Sequence, residues 1–448
     1  MKGEHDVKLN YRRTVLVGLA FLSICAFWQM YNSIIPLVLT NTFHVNEAVS
    51  GAIMAADNVL ALFLLPLFGA VSDRSHFRLG RRMPFILAGT AGAVLLMQLL
   101  PALDDSYAAS PAAWKTAAFI AVLGALLVIM GTYRSPAVAL MPDVTPKPLR
   151  SRANAVINLM GALGGILYLL TASVLYSADA TAGLDHVSYG RLFIVVGAMM
   201  AAAVAVMACA VREPRLAAEA AAWERAHPSA DLTVSDGGGS AFLPTEVRRS
   251  LGFLLASISL WFIGYNAMET WFTTYAGRVW GMSLGAASAC LTIATGGAIV
   301  SYLPVGALAS RIGRKKTILG GVALLSACFF AGFLYTLAFP HFSPALYVLF
   351  ALVGLAWAAI NVNSLPMVVE LCTGADVGKF TGYYYTFSMA AQTVTPILAG
   401  WLLKHVSYTA LFPYAALFAG LSFFTMLQVR HGDSKAAPKR GLDAFEDL

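Results

Sequence analysis

Residues 69–86 read GAVSDRSHFRLGRRMPFI, a short charged turn between two long apolar runs. It places Asp73, Arg74, Arg78, Arg81 and Arg82 within ten positions of a chain that is only 12% charged. Roughly half the chain later, residues 306–319 read GALASRIGRKKTIL. Gly69 pairs with Gly306, Ser72-Asp73-Arg74 with Ala309-Ser310-Arg311, and Gly80-Arg81-Arg82 with Gly313-Arg314-Lys315. A motif repeated at half-chain spacing implies an internal duplication, and the apolar flanks imply that the duplicated unit is a bundle of membrane helices.

Composition agrees with that reading. Of 448 residues 58% are hydrophobic, and the mean hydropathy is +0.71. A soluble core cannot hide so much apolar side chain, whereas lipid-facing helices can. The net charge of +7 does not point to nucleic acid, because the basic residues gather in short connections on one side of the spans. Cys25, Cys209, Cys290, Cys328 and Cys372 show no metal-like spacing and read as small apolar filler. Neither metal nor cofactor is expected, and no cleavable signal segment is read at the N-terminus.

Twelve apolar runs are long enough to span: 14–39, 48–71, 84–103, 114–141, 153–175, 189–211, 249–276, 285–308, 317–339, 343–366, 380–403 and 407–429. The expected fold is therefore an all-α membrane protein of two six-helix bundles. Residues 1–211 form the first bundle, 212–248 a cytoplasmic linker, 249–430 the second bundle, and 431–448 a cytoplasmic tail. The linker opens with REPRLAAEAAAWERAH, which reads as a helix outside the membrane, and continues as PSADLTVSDGGGS, which reads as flexible. With the N-terminus inside, the cytoplasmic segments hold 25 of the 30 Lys and Arg residues, so both termini are expected in the cytoplasm.

Ionisable groups within the spans are the expensive ones. Each costs about 2.5–3.5 kcal/mol near a bilayer centre, so it is expected to face a cavity. Asp57 in the second run, Arg134 in the fourth and Glu269 in the seventh are such groups. Polar and aromatic neighbours recur on helical stripes: Trp28, Gln29 and Asn32; Tyr265, Asn266, Glu269 and Thr270; Trp357 and Asn361. Asn58, Asn158 and Gln392 extend the set. Amides, hydroxyls and aromatic faces converging on one cavity suit a sugar, since amides take hydroxyls and a ring stacks on the C–H surface. For single residues, hydrogen bonding between helices is an equally good reading. The charged turns suit a gate: Asp73, Arg74, Arg81, Arg82, Arg311 and Arg314 can latch helix ends on the inner side.

The turn at 69–86 resembles the loop motif of the major facilitator superfamily, in the SDR–GRR–PFI form of disaccharide–proton symporters related to plant sucrose carriers. It is more distantly similar to the glycoside–pentoside–hexuronide:cation symporters. Residues 135–163, SPAVALMPDVTPKPLRSRANAVINLMGAL, resemble a second segment of the sucrose carriers. The resemblance implies a proton-coupled importer of a small saccharide, such as sucrose or maltose, acting as a monomer in the cytoplasmic (inner) membrane by alternating access. Asp143 falls where the family has its coupling aspartate, so Asp57, Asp143 and Glu269 are the proton-coupling candidates. The family's neighbouring arginine position holds Val138 here, and Arg134 stands about one turn earlier. Asp57 resembles the acidic second helix of the glycoside branch, which keeps sodium coupling open. A drug or metabolite exporter of the same fold is the remaining alternative. Enzyme signatures such as GxSxG, HExxH or a Walker loop are missing from the sequence.

Overall fold

A computed structural model describes residues 9–146, 149–226, 244–339, 341–371 and 377–432. The first half contains α1 (Tyr11–Asn41), α2 (Glu47–Asp73), α3 (Met83–Met97), α4 (Leu99–Ala109), α5 (Ala113–Val144), α6 (Arg150–Leu175), the single turn α7 (Ala178–Thr181) and α8 (Gly190–Ala210). α9 (Glu213–Ala226) follows. The second half contains α10 (Thr245–Trp280), α11 (Leu284–Ile312), α12 (Arg314–Ala338), α13 (Ala345–Val369), α14 (Val377–His405) and α15 (Leu411–Leu427). α3 and α4 run on as one segment, so among the described residues there are twelve long helical segments, eleven of them apolar enough to cross a membrane. The end of the bundles that carries α9 is termed the linker side here, and the opposite end the far side.

The expected runs match these helices within a few residues, with two local departures. The third run breaks at Gln98, where α3 passes into α4. Pro101 cannot donate the bond that would continue α3 across this point, and the Gln98 amide turns instead to the Phe193 carbonyl of α8 at 3.1 Å. α14 is 29 residues long, yet it is not among the eleven helices apolar enough to qualify as spans. Its Tyr383-Tyr384-Tyr385-Thr386 run, Gln392, Thr393 and Thr395 lower its hydropathy. It packs along α2 and α10 rather than standing alone in lipid.

Helix starts follow local chemistry. Asn10 accepts the Arg13 amide at the start of α1 and Asn46 the Val49 amide at the start of α2, each satisfying an orphan donor. α10 ends where Gly281 adopts a left-handed φ of 61° and the Met282 amide turns back to the Ala276 carbonyl. Among the described residues two large hydrophobic cores result, with a small third cluster where α11 meets α13 around Ala298, Tyr302 and Ala358. One large core gathers buried residues from Val17 to Val211 together with Leu284 of α11, and the other those from Leu251 to Val429. The REPR segment is helical from Glu213, as expected; 227–243 and the acidic tail lie outside the described residues. Cys25, Cys209, Cys290 and Cys328 are free thiols, and Cys372 is outside the described residues.

Candidate functional site

A cavity of about 210 Å³ opens between the two halves. α1 supplies Trp28 and Asn32, α2 supplies Met54, Asp57 and Asn58, and α5 supplies Arg134. From the second half, α10 supplies Asn266, Glu269 and Thr270, and α14 supplies Gln392 and Pro396. Apart from α5, which offers Arg134 alone, each helix offers residues at i, i+3 or i+4 and so presents one stripe.

Three charged groups meet here without pairing. Among the described residues no ion pair within 4.0 Å joins Asp57, Arg134 or Glu269 to any partner. A buried ion pair that merely fixes helix register is therefore not what these residues form. The Asn58 amide donates to Asp57 Oδ1 at 3.0 Å, and the Arg134 guanidinium stands 5.6 Å from the Trp28 ring centroid. Two donors on the cavity wall, Trp28 Nε1 and Asn266 Nδ2, are buried without an acceptor among the described residues. A buried donor left unmet costs about 1–3 kcal/mol, so both atoms are open to an acceptor oxygen.

Six expected residues stand elsewhere. Tyr265 and Trp357 stack on each other, centroids 3.7 Å apart and planes 9° apart, with Phe262 edge-on to the Trp357 ring at 5.4 Å. Ring stacking between α10 and α13 thus occupies the faces expected to meet a sugar, and Asn361, one turn beyond Trp357, is likewise off the cavity lining. Gln29 points toward the α6 glycine Gly165, whose Cβ position would lie 3.8 Å from its Oε1. Asn158 is half-buried on α6 and does not line the cavity. Asp143, expected to carry a proton, lies with the charged turn instead. Met54 and Pro396 are the cavity residues that the sequence reading missed. Each sits one helical turn from a recognised one, which is the signal that could have found them.

The charged turn folds into a tight cluster on the linker side. Arg82 is almost fully buried; its Nε donates to Asp143 Oδ2 at 2.8 Å, and its Nη atoms reach Ser72 Oγ and Asp73 Oδ1. Arg81 Nη2 holds the other Asp143 oxygen at 2.7 Å. Glu213, at the start of α9 and 2% exposed, accepts the backbone amides of Arg81, Arg82 and Met83 at 2.8–2.9 Å. It caps the positive end of α3. In the second half Arg314 Nη1 meets Glu370 Oε2 at 2.6 Å. Arg74 and Arg311 are exposed. The sequence suggested that Asp73 latches an opposing helix end. Here it bonds Arg82 of its own half, because Arg82, nine residues on, folds straight back over the end of α2.

The far side is closed across the halves. Between residues whose side chains are described, five hydrogen bonds cross. Thr273 Oγ1 donates to the Ser33 carbonyl at 2.7 Å, and Arg278 to the Thr40 carbonyl and Asn41 Oδ1 at 3.1 Å each. Tyr408 donates to Glu47 Oε1 at 2.6 Å and the Gly285 amide to the Tyr176 carbonyl at 2.8 Å.

Two helical bundles enclosing one polar, charge-bearing cavity at their interface define a membrane carrier. The chain belongs to the Major Facilitator Superfamily, whose family model matches residues 17–300 and 277–445. It is thus a multi-pass membrane transporter rather than an enzyme. Over 128 residues it is 32% identical to the chloramphenicol resistance protein CraA of Acinetobacter baumannii, covering 29% of this chain and 30% of that one. Over 166 residues it is 28% identical to the sucrose transport protein SUC3 of Arabidopsis thaliana, covering 34% of this chain and 27% of that one. The matched segments thus span under a third of either relative. The xylose transporter XylE from E. coli, in a partially occluded inward-open conformation, superposes with a TM-score of 0.63 at 12% identity, covering 95% of this chain and 99% of that one. At that identity the likeness is one of fold.

Proposed function

We propose that this protein imports a small saccharide, a disaccharide such as sucrose or maltose, together with a proton. It acts as a monomer in the cytoplasmic membrane, with the linker side and both termini facing the cytoplasm. The observation that carries the reading is the cavity wall: the amides of Asn32, Asn58, Asn266 and Gln392, the Thr270 hydroxyl and the unmet Trp28 and Asn266 donors surround three unpaired charges. Such a wall binds hydroxyl-rich solutes better than apolar ones. Asp57 and Glu269 face the cavity and are the carboxyls able to exchange a proton with it. Arg134, lining the same cavity, competes with the proton for their charge. Asp143, held by two guanidinium groups, serves the linker-side latch in this reading. The SUC3 segment supports the saccharide assignment.

The test is accumulation of labelled sucrose and maltose in proteoliposomes under an imposed pH gradient. Uptake should rise with the gradient and vanish with an uncoupler. Accumulation that ignores the uncoupler and follows sodium would replace the proton by sodium. The CraA segment favours a second reading, a drug exporter. Chloramphenicol efflux from cells expressing the chain, with no sugar uptake, would select it.

A further inference from the structure

A second group of reactive side chains lies away from the cavity, on the far side of the first half. Asp104 and Asp105 sit near the end of α4, and His186 in the connection between α7 and α8. His186 Nε2 is 2.9 Å from Asp105 Oδ1 and 3.8 Å from Asp104 Oδ2. One ligand atom from each of the three residues falls within 4.8 Å of the others. Ser188 Oγ donates to the second Asp105 oxygen at 2.7 Å, which fixes that carboxylate in place.

Asp104 is the informative member. Its side chain is 1% exposed, and among the described residues neither oxygen has a partner in good hydrogen-bond geometry; the Thr42 hydroxyl and His186 are the donors beside it. Burying a carboxylate with so little hydrogen bonding is costly, and such groups in folded proteins are paired or bind cations. The ammonium of Lys115 is engaged elsewhere, donating to the Ser106 and Ser110 carbonyls and to Ser110 Oγ. His186 approaches Asp104 only at ion-pair distance, while its closer contact is with Asp105.

We propose that Asp104, Asp105 and His186 hold a divalent transition-metal ion, zinc being the best fit. Zinc bonds imidazole and carboxylate at about 2.0–2.2 Å, which sets neighbouring ligand atoms of a tetrahedral site about 3.3–3.6 Å apart. The observed 2.9 and 3.8 Å bracket that spacing, so small side-chain rotations complete the triad. Imidazole among the ligands argues against calcium and magnesium, which take oxygen shells of higher number. His186 also lines a cavity of about 410 Å³ with His44, Asn41, Thr42 and Asp185. The fourth position therefore opens to water or to the His44 imidazole. A bound ion would tie the end of α4 to the segment leading into α8.

The experiment titrates the purified full-length protein in detergent with zinc against a fluorescent chelator. One zinc per chain, bound at micromolar or tighter affinity, is expected. His186→Ala and Asp105→Asn should each weaken binding at least about tenfold, as loss of a ligand or its support does. X-ray absorption of the wild-type zinc complex should show a nitrogen/oxygen shell with imidazole scattering. Equal zinc affinity in wild type and His186→Ala, or a shell without imidazole, would overturn the proposal. So would calcium displacing zinc at equal concentration. The absorption measurement decides the matter on wild-type protein if a variant does not fold.

Discussion

Arg134 is the cation on which the cavity turns. It shares the space with Asp57 and Glu269, has no carboxylate within ion-pair distance, and leans on the Trp28 ring. Arg134→Ala should weaken saccharide binding about ten- to hundredfold, the range for losing a charged hydrogen bond; binding by scintillation proximity checks this. If Asp57 or Glu269 carries the proton, its amide variant should lose uphill accumulation yet keep sugar exchange down no gradient. Comparing Asp57→Asn with Glu269→Gln by counterflow shows which. The stripe Asn266, Glu269, Thr270 was legible from spacing alone because charged and amide groups have no place against lipid. The stripe on α13 was misread for a physical reason. Helical period groups Trp357 and Asn361 on one face, but it cannot say that the Trp357 ring will find Tyr265 of α10 before any solute does.

At the scale of elements, the start of α3 depends on a residue 130 positions away in the chain, the Glu213 carboxylate. Gly80 makes the approach possible. Its φ is +112°, and a Cβ there would stand 2.3 Å from Glu213 Oε2. Gly80→Ala should therefore both strain the turn and expel the cap, lowering stability by about 1–3 kcal/mol. Glu213→Ala should cost about 1–2 kcal/mol through the uncapped amides. Thermal unfolding of purified protein, followed by tryptophan fluorescence, measures both. Further along α9, Arg215 and then Arg13 hold the exposed Glu219 carboxyl below its ordinary range. A lowered value means the contact with α1 is intact above the unfolded-state pKa and is lost as pH falls through the lowered one. Hydrogen exchange in α9 should thus stay slow through mild acid and rise only beyond it. The repeat of the charged turn revealed the two halves, but nothing in the sequence announces the Glu213 cap, since its partners are backbone amides that carry no residue signature.

For the whole molecule, the order of helices and their limits were readable because lipid imposes length and apolarity on every pass. Which side is sealed was not, because closure depends on how two preformed bundles meet. Gly51 marks that meeting: a Cβ there would lie 2.1 Å from the Pro396 carbonyl. Gly51→Leu should hold the far side apart and reduce transport at least about tenfold, a loss of some 1.4 kcal/mol or more in the closing equilibrium. Alkylation of a cysteine placed at Asn32 by an impermeant reagent added from the far side should rise in parallel. Unchanged transport and unchanged labelling would show that the two glycine-lined helices need not touch.

All five bonds that seal the far side run in one sense, donors from the second half and acceptors from the first. Three of the acceptors, at Ser33, Thr40 and Tyr176, are main-chain oxygens, which every amino acid possesses. Substitution at Ser33, Thr40 or Tyr176 therefore leaves these oxygens in place, whereas a single codon change at Thr273 or Arg278 removes a donor. Heritable adjustment of how firmly the carrier shuts therefore falls on the donor side chains of the second half and on two acceptor side chains of the first, Asn41 and Glu47, while lineages of this chain can vary Ser33, Thr40 and Tyr176 without losing a sealing oxygen.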